Sequence, residues 1–361
     1  MKRGINRPWR ARRTHTPVVL VAIMSMVGIL SACGGGSAAM KVEDDGGDAP
    51  VMLSDSEWSD VVAAAKNEGE LVVYTSSGPT EAAFKRFSDT YPDIKITVER
   101  QPTADLITRL DQEISVNAAG ADVAVHGQEV WYADRGQARS LAPLKLSPES
   151  QKNFTGLEVD RYYVPVSKVP YSFAYNTMLG QPVKTMEEFL RVVGDKPVGL
   201  HDAANAIATS YQYYRWQESY GDDFLQRLAA HNPAVFGSGS TMSQSLAAGE
   251  IVYGIAQSPG YIAALKAQGA PVDEVVLSDA VVGAQYGPGI LATSRHPNAA
   301  QVFVNWVMSP EGQKILLEAQ GGTVPTEIEG SLKWDSVELA PWTPDEQEGW
   351  LKEQWNPALR R

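Results

Sequence analysis

The chain has 361 residues, of which 43% are hydrophobic and 20% are charged, so it is long enough for two domains with apolar cores. It carries 31 Lys and Arg against 43 Asp and Glu, and its formal net charge is -12. This acidic balance argues against nucleic acid as a partner, because binding to a phosphate backbone needs concentrated positive charge.

The N-terminus has the pattern of a bacterial export signal. Six Lys and Arg lie within residues 2–13, and the apolar stretch Pro17–Leu30 is shorter than the roughly 20 residues of a membrane-spanning helix. The sequence Leu-Ser-Ala-Cys that ends at Cys33 resembles the lipobox of bacterial lipoproteins, in which the cysteine becomes the lipid-bearing N-terminus. We predict a signal peptide over residues 1–32 and lipidation at Cys33. The alternative is a secreted protein with an unused cysteine.

Cys33 is the only cysteine, so an internal disulfide is excluded. Without residues 1–32 the chain keeps 25 Lys and Arg against 43 Asp and Glu. Residues 33–53 have little to bury and read as the anchor and a flexible linker. Folded sequence is expected from Ser54, which has capping-box spacing to Glu57.

Three apolar stretches then alternate with helical patterns and predict a parallel α/β sheet. The stretches are Leu71–Tyr74, Ile94–Val98 and Ala121–Val125. In such sheets ligands bind beyond the carboxyl ends of the strands. We therefore expect the loops Thr75–Gly78 and His126–Glu129 to face a ligand.

The pattern of strand, polar loop and helix starts again in the second half of the chain. Val198–Asp202 reads as a strand that enters a helix, Val235–Thr241 runs into the helical pattern of 242–249, and Ile251–Ala256 ends at a polar loop over 257–261. Together they predict a second α/β lobe. Two helices follow, Pro297–Met308 and Pro310–Ala319.

Four tryptophans mark the C-terminal segment and allow two interpretations. A carbohydrate platform is one, and packing of these aromatic side chains against the lobes is the one we favour. The tryptophans are Trp334, Trp342, Trp350 and Trp355.

The order of these motifs resembles the bacterial extracellular solute-binding protein family 1, most closely the branch of ferric-iron, thiamine and phosphonate-type receptors of ABC importers. The resemblance covers residues 54–330, and His296–Gln313, His-Pro-Asn-Ala-Ala through Ser-Pro-Glu-Gly-Gln, is its most specific part. Other matching motifs are Gly69–Ser76, Tyr91–Val98, Ala121–Val125 and Ala248–Ile255.

This resemblance implies a type II periplasmic-binding-protein-like α/β fold with two lobes, each a mostly parallel sheet with flanking helices. The ligand would lie in the cleft between the lobes. The expected boundaries are 54–172 plus 288–332 for lobe 1, 173–287 for lobe 2 and 333–361 for the Trp-rich segment, with chain crossings near 171–176 and 286–291.

The family also implies a function and partners. The protein would be a monomeric receptor, held outside the cytoplasm at the cell membrane by its lipid, that delivers a small molecule or ion to an ABC permease. It would act without a cofactor and without converting the ligand.

The loops expected at the cleft offer mostly neutral donors. Two of these loops open helices, one from each lobe, and opposed helix N-termini with hydroxyls suit a phosphonate, phosphate ester or carboxylate. The alternative is that these serines only cap helices, and Asp202 either accepts from a ligand or caps the next helix. The candidate ligand-binding residues are Ser76, Ser77, Gly78, Thr80, Gln128, Asp202, Ser238, Ser240, Thr241, Gln257, Ser258 and Tyr261.

A ferric-iron receptor is the second hypothesis. Iron-binding relatives carry a histidine, a glutamate and two adjacent tyrosines at positions that fall here near Gly78, Gly127 and Pro259-Gly260, so this set is missing. His126, Glu129 and Tyr261 are neighbours that could replace it, although one tyrosine and a shifted carboxylate make a weaker site for a hard cation.

Two other classes are less well supported. An extracellular hydrolase is disfavoured because the chain has neither a Gly-x-Ser-x-Gly elbow nor a His-Glu-x-x-His motif, and its five histidines are scattered. A lectin-like module would depend on the C-terminal tryptophans.

Lipidation can be tested by changing Cys33 to Ser in the bacterium that makes the protein. We expect the protein to leave the detergent phase in a detergent-partition assay and to lose metabolic labelling by a fatty acid, because the thiol is the acyl acceptor. A Ser31→Ala variant keeps the cysteine and serves as control. Unchanged labelling of the Cys33→Ser variant would contradict the prediction.

Overall fold

A computed structural model describes residues 47, 49–78, 80–154, 159–329 and 331–360. The predicted signal peptide and Cys33 lie outside these residues, as does most of the predicted linker. In the described part of the chain, no helix has the length and apolar character needed to span a membrane.

Fourteen strands form three sheets in this part of the chain. In chain order they are β1 (Val51–Met52), β2 (Glu70–Thr75), β3 (Lys95–Arg100), β4 (Val123–His126), β5 (Leu141–Ala142), β6 (Lys145–Leu146), β7 (Ser167–Pro170), β8 (Ser172–Asn176), β9 (Val198–His201), β10 (Ala234–Phe236), β11 (Tyr253–Gln257), β12 (Val272–Val275), β13 (Val282–Leu291) and β14 (Glu338–Leu339).

Fifteen α-helices are described with them. They are α1 (Asp55–Glu68), α2 (Thr80–Lys85), α3 (Phe87–Thr90), α4 (Thr103–Ser115), α5 (Glu129–Gln137), α6 (Pro148–Asn153), α7 (Met186–Val192), α8 (Ile207–Tyr220), α9 (Phe224–Ala229), α10 (Gly239–Ala248), α11 (Pro259–Ala267), α12 (Pro297–Met308), α13 (Pro310–Gln320), α14 (Pro344–Trp350) and α15 (Asn356–Leu359), with a π-helical turn at Leu351–Trp355.

The larger sheet has seven strands in the order β14-β13-β4-β2-β3, and β5 and β7 also pair with β13. Strand β2 runs parallel to β3 and β4, with Val73 opposite both Val98 and Val123. The parallel arrangement predicted for these three strands is therefore confirmed. Their carboxyl ends lie at one edge of the sheet, where Thr75, Arg100 and His126 are the last strand residues.

The second sheet has five strands in the order β10-β9-β11-β8-β12. Strands β9, β10 and β11 are parallel, and β8 pairs antiparallel with β11 and β12. The α/β pattern predicted for the second half is confirmed by this sheet and its flanking helices. A small third sheet joins β1 to β6.

The chain passes between the two large sheets at two places. Tyr171 separates β7, in the seven-stranded sheet, from β8, in the five-stranded sheet, and the return lies between Val275 and Val282. The stretch 286–291 lies within β13 of the seven-stranded sheet. We use "first lobe" and "second lobe" for the parts built on the seven-stranded and five-stranded sheets, and their residue boundaries stay a prediction.

Each large sheet packs against its own apolar core. Phe303 on α12 lies in the first core, with ring centroids 5.2 Å from Phe84 and 5.5 Å from Phe87. Trp350 and Trp355 of the C-terminal segment are buried in the second core, where Trp355 lies 4.6 Å from the ring of Tyr213. These two tryptophans thus contribute to packing.

The first core should depend on Phe303. We expect Phe303→Ala to lower the free energy of unfolding by about 3 to 5 kcal/mol, because it leaves a cavity between two other aromatic rings. Urea unfolding followed by circular dichroism measures this loss. Val116→Ala is the control, since Val116 is 73% exposed, and it should change stability by less than about 0.5 kcal/mol. Equal effects of the two substitutions would contradict this account of the core.

Candidate functional site

The two lobes touch where the carboxyl ends of their strands face each other. Arg100, the last residue of β3, donates from Nη2 to the hydroxyl of Tyr261 on α11 over 2.9 Å. Gly78, in the loop after β2, lies so close that a Cβ at this position would overlap the same hydroxyl. The structure therefore brings the predicted residues Gly78 and Tyr261 together across a cleft.

Hydrogen bonds inside the loop after β2 fix its shape. The Thr80 hydroxyl donates to the Ser77 carbonyl over 2.7 Å, and the Ser77 amide donates to Thr75 Oγ1 over 3.2 Å. Ser77 Oγ accepts from Gln320 Nε2 at the end of α13, at 3.2 Å. Ser77 and Thr80 are buried and hold the loop in place, whereas Ser76 Oγ is shielded from solvent without a partner in the described residues.

This loop opens only a short helix. Helix α2 has six residues, so the dipole that we predicted at the first-lobe loop is carried by a single turn and a half. An anion bound on this side would therefore be held mainly by side chains.

His126 ends β4 as a fully buried neutral imidazole. Its Nδ1 accepts from the Gln128 amide at 3.2 Å, so the proton lies on Nε2, which has no partner in the described residues. The ring stacks on Tyr132 with centroids 4.3 Å apart. Burial lowers the pKa of His126 to about 3, because the buried ring lacks the water that would stabilise its charged form.

Two further polar groups, Glu129 and Tyr163, lie close to His126 and Tyr132, and we call these four residues the His126 wall. Glu129, at the start of α5, accepts from Gln285 Nε2 on β13. The hydroxyl of Tyr163 is buried without a partner in the described residues, and its ring lies 4.5 Å from that of Tyr132.

On the second lobe, Gln257 organises the loops that carry the predicted serines. It is fully buried, and its Nε2 donates to the Gly239 carbonyl at 3.1 Å and to Ser243 Oγ at 2.8 Å. Its Oε1 accepts from the Ser258 amide at 2.8 Å, which ties the start of α10 to the start of α11. The two polar atoms of the Gln257 side chain thus make three hydrogen bonds within the protein, so Gln257 positions the loops and is not free to bind a ligand.

The predicted serines of this lobe fall into two groups. Ser238 caps α10 through a bond from the Thr241 amide at 3.5 Å, and Thr241 is exposed. Ser240 and Ser258 are half-buried, and Ser258 makes no side-chain capping bond at the start of α11.

The backbone before Gln257 is bent in an unusual way. Ala256 is fully buried and adopts a φ of 57°, a left-handed conformation that non-glycine residues rarely occupy. Such strain costs about 1 to 3 kcal/mol and tends to occur at functional sites.

Asp202 is engaged within its own lobe. One carboxylate oxygen accepts from the Ala204 amide at 3.0 Å, which caps a 3-10 turn, and the other pairs with Arg360 of the C-terminal segment. The structure therefore shows the capping contact, and these two partners leave Asp202 little capacity for a ligand.

Sequence reasoning missed Arg100. The apolar pattern predicted a strand that ends at Val98, and the strand continues two residues further. The available signal for a ligand-binding residue was a positively charged side chain just after an apolar strand of a parallel sheet.

Sequence reasoning also missed Tyr286 on β13, which interacts electrostatically with Tyr261. Burial raises the pKa of its hydroxyl, with Tyr171 and Tyr261 as lesser contributors.

The three residues proposed for the iron alternative have other partners. His126 and Glu129 are bonded as described, and the Tyr261 hydroxyl accepts from a guanidinium. Across the described residues, no three His, Cys, Asp or Glu side chains cluster as a metal would require.

Comparisons with known proteins identify relatives. The family model described as bacterial extracellular solute-binding protein matches residues 82–329. A protein of Haemophilus influenzae, described as uncharacterized, is 28% identical over 332 residues, which cover 82% of this chain and 92% of that protein.

Two solved structures share the fold. The substrate binding protein of an ABC transporter from Agrobacterium tumefaciens has a TM-score of 0.68 at 19% identity, with 82% of this chain and 97% of that chain covered. The periplasmic binding protein AfuA from Actinobacillus pleuropneumoniae, solved with fructose-6-phosphate bound, has a TM-score of 0.60 at 23% identity, with 81% and 99% covered. The predicted type II periplasmic-binding-protein fold is confirmed.

The buried histidine generates a pH prediction. Because the pKa of His126 is about 3 in the folded protein and about 6.5 for an exposed histidine, only the unfolded chain binds this proton between these pH values. His126 therefore destabilises the fold as the pH falls below about 6.5, by up to about 1.4 kcal/mol per pH unit, and has no such effect above it.

When the pH is lowered from 7 to 4.5, we expect the wild type to lose about 2 kcal/mol more free energy of unfolding than His126→Gln. The glutamine keeps an acceptor for the Gln128 amide. Urea unfolding at both pH values measures the difference. His231→Gln serves as control, since His231 is not buried in this wall. Identical pH dependence of wild type and His126→Gln would show that His126 does not stay neutral.

Proposed function

This chain belongs to the bacterial extracellular solute-binding proteins, and we propose that it is the substrate-binding component of an ABC importer that binds a small anionic solute between its two lobes. The solute would be an organophosphorus compound or a carboxylate. The chain would then deliver it unchanged to a membrane permease. Membership of this extracellular family supports a location of the protein outside the cytoplasm.

Arg100 is the observation that carries the proposal. It is exposed at the carboxyl end of β3 and forms no salt bridge with any described residue. Its guanidinium donates a hydrogen bond to the neutral hydroxyl of Tyr261. A planar guanidinium matches the two oxygens of a phosphate or carboxylate and binds them bidentately. An uncompensated guanidinium in a ligand cleft therefore supports an anionic ligand.

Neutral groups of the first lobe fit the same class of ligand. Ser76 Oγ and Tyr163 Oη can each donate a proton, and His126 Nε2 carries one; all three atoms are buried without a partner in the described residues. Buried polar atoms are normally hydrogen-bonded, so this group is best explained by a polar ligand or the water it displaces. Neutral donors stabilise an anion without themselves requiring a counter-charge.

The acidic composition does not oppose this proposal. A cleft responds to the few charges that line it and not to the net charge of the chain. Glu129, the carboxylate closest in sequence to the His126 wall, is already bonded to Gln285.

A ferric-iron receptor is the less favoured function. A hard cation needs a deprotonated Tyr261, yet the same oxygen accepts from Arg100, whose positive charge would repel the metal. His126 would have to release the Gln128 amide or bind through its buried Nε2.

The membrane partner completes the proposal. A lipid on Cys33 would hold a monomeric receptor close to its permease, and the permease would recognise the closed arrangement of the lobes. Contacts from both lobes to one ligand favour that arrangement. These contacts would come from Arg100 on the first lobe and from Ser240 and Ser258 on the second.

A thermal-shift screen of the purified protein, unfolded and refolded to remove copurified ligand, tests the function. The probes are inorganic phosphate, aminoalkylphosphonates, sugar phosphates, small carboxylates, thiamine, polyamines and ferric iron with carbonate. We expect an anionic compound at a hundred times its dissociation constant to stabilise the fold by about 2.7 kcal/mol.

Arg100→Gln should weaken the binding of that compound at least tenfold, because a hydrogen bond to a charged group contributes about 1.5 to 3 kcal/mol. Arg100→Lys should recover part of the loss. Lys95→Gln, at the opposite end of the same strand, is the matched control and should leave affinity unchanged. Stabilisation by ferric iron alone, lost in Tyr261→Phe, would contradict the proposal, and so would chemical conversion of the bound compound.

A further inference from the structure

A second cavity lies on the first lobe, away from the cleft. Its volume is about 340 Å³, within the range of small-molecule sites, and none of the predicted cleft residues lines it. Five helices meet there: α1, α3, α6, α12 and α13. The lining residues that matter for its chemistry are Trp58, Tyr91, Glu149, Trp306 and Glu311.

Three aromatic side chains form the walls of this cavity. Tyr91 stacks on Phe87 with centroids 5.0 Å apart, and Trp306 meets the same ring edge-on at 5.6 Å. Phe87 is fully buried, so Tyr91 and Trp306 are held in fixed orientations. Trp58, on α1, is half-buried and packs against the same core.

Two carboxylates supply the charge. Glu149 and Glu311 line the cavity, and both contribute, after burial, to raising the pKa of the Tyr91 hydroxyl. Glu311 accepts from the Thr90 hydroxyl at 3.2 Å, which positions one of its oxygens. Among the described lining residues there is no Lys, Arg or His to balance these charges.

Trp306 adds a buried donor. Its side chain is 3% exposed, and its indole Nε1–H has no acceptor in the described residues. A buried indole N–H normally finds a partner. The two carboxylates and the aromatic rings that line this cavity attract cations, so a fitting ligand would combine a positive charge with an oxygen acceptor.

We propose that this cavity binds a small organic cation that carries a hydroxyl oxygen, of the amino-alcohol class to which choline belongs. The faces of Trp58 and Tyr91 would contact the ammonium group, because an aromatic ring attracts a cation through its quadrupole. Glu149 and Glu311 would supply the counter-charge, and Trp306 Nε1–H would donate to the hydroxyl oxygen.

Titration of the purified protein with choline chloride, at constant ionic strength, tests this site by isothermal calorimetry and by the indole N–H signals in NMR spectra. We expect saturable binding and a shift of one indole signal, which Trp306→Phe assigns by removing it. Tetramethylammonium, which lacks the hydroxyl, should bind at least threefold more weakly. The uncharged carbon isostere of choline should not bind.

Glu311→Gln and Glu149→Gln should each weaken choline binding at least threefold, and Trp58→Ala should do the same, since Trp58 is only half-buried at the edge of the first core. Glu353→Gln, an exposed glutamate of the C-terminal segment, is the matched control and should bind choline as the wild type does. Circular dichroism checks that each variant is folded.

Absence of saturable choline binding to the wild type would overturn the proposal, as would equal binding of the uncharged isostere or equal affinity of the Glu311→Gln, Glu149→Gln and wild-type proteins. These results are independent of the cleft, because Arg100→Gln should leave choline binding unchanged.

Discussion

The hydrogen bond between Arg100 and Tyr261 is the contact on which the arrangement of the cleft depends. It joins the end of β3 to α11, and the close approach of Gly78 to the same tyrosine leaves no room for a side chain at that position. Helix α11 also packs against α13 of the first lobe. At the carboxyl ends of the strands the two lobes therefore meet through one charged donor, one aromatic hydroxyl and bare backbone, and each of these groups could contact a ligand if the lobes separated.

The loops on either side of that contact are held from behind. Gln320 bonds Ser77 in the first lobe, and Gln257 bonds three groups in the second. Both glutamines are almost fully buried, so their bonds are protected from water. Holding the loops in this way reduces the entropy that a ligand would otherwise lose by ordering them.

Much of the fold could be predicted from the sequence because apolar periodicity and turn residues report local structure. The strands around Val73, Val98 and Val123 and the helix at Pro297–Met308 are examples. The cleft was harder to predict, because a serine after a strand can cap a helix, hold a loop or bind a ligand, and only its neighbours decide which. Ser77 holds a loop through Gln320, which lies 243 positions away, and no local pattern reports that bond.

Arg100 and the aromatic cavity were missed for different physical reasons. The end of a strand is set by its pairing with the neighbouring strand, and Arg100 is paired with Thr75, so the apolar pattern alone stops too early. The cavity is built from residues between Trp58 and Glu311 that only the packing of α1, α6 and α13 on α12 brings together. Its three aromatic side chains are indistinguishable in the sequence from ordinary core residues.

Helix α13 connects the two places where the lining chemistry favours a ligand. Glu311, in its first turn, lines the aromatic cavity, and Gln320, its last residue, bonds Ser77 in the cleft, about 14 Å away along the helix axis. A cation in the cavity changes the affinity of the cleft only if it binds the open and closed arrangements differently, and the effect is then reciprocal. Helix α13 packs on α2 and α12 in the first lobe and on α11 in the second, so it is the element through which such a difference would act.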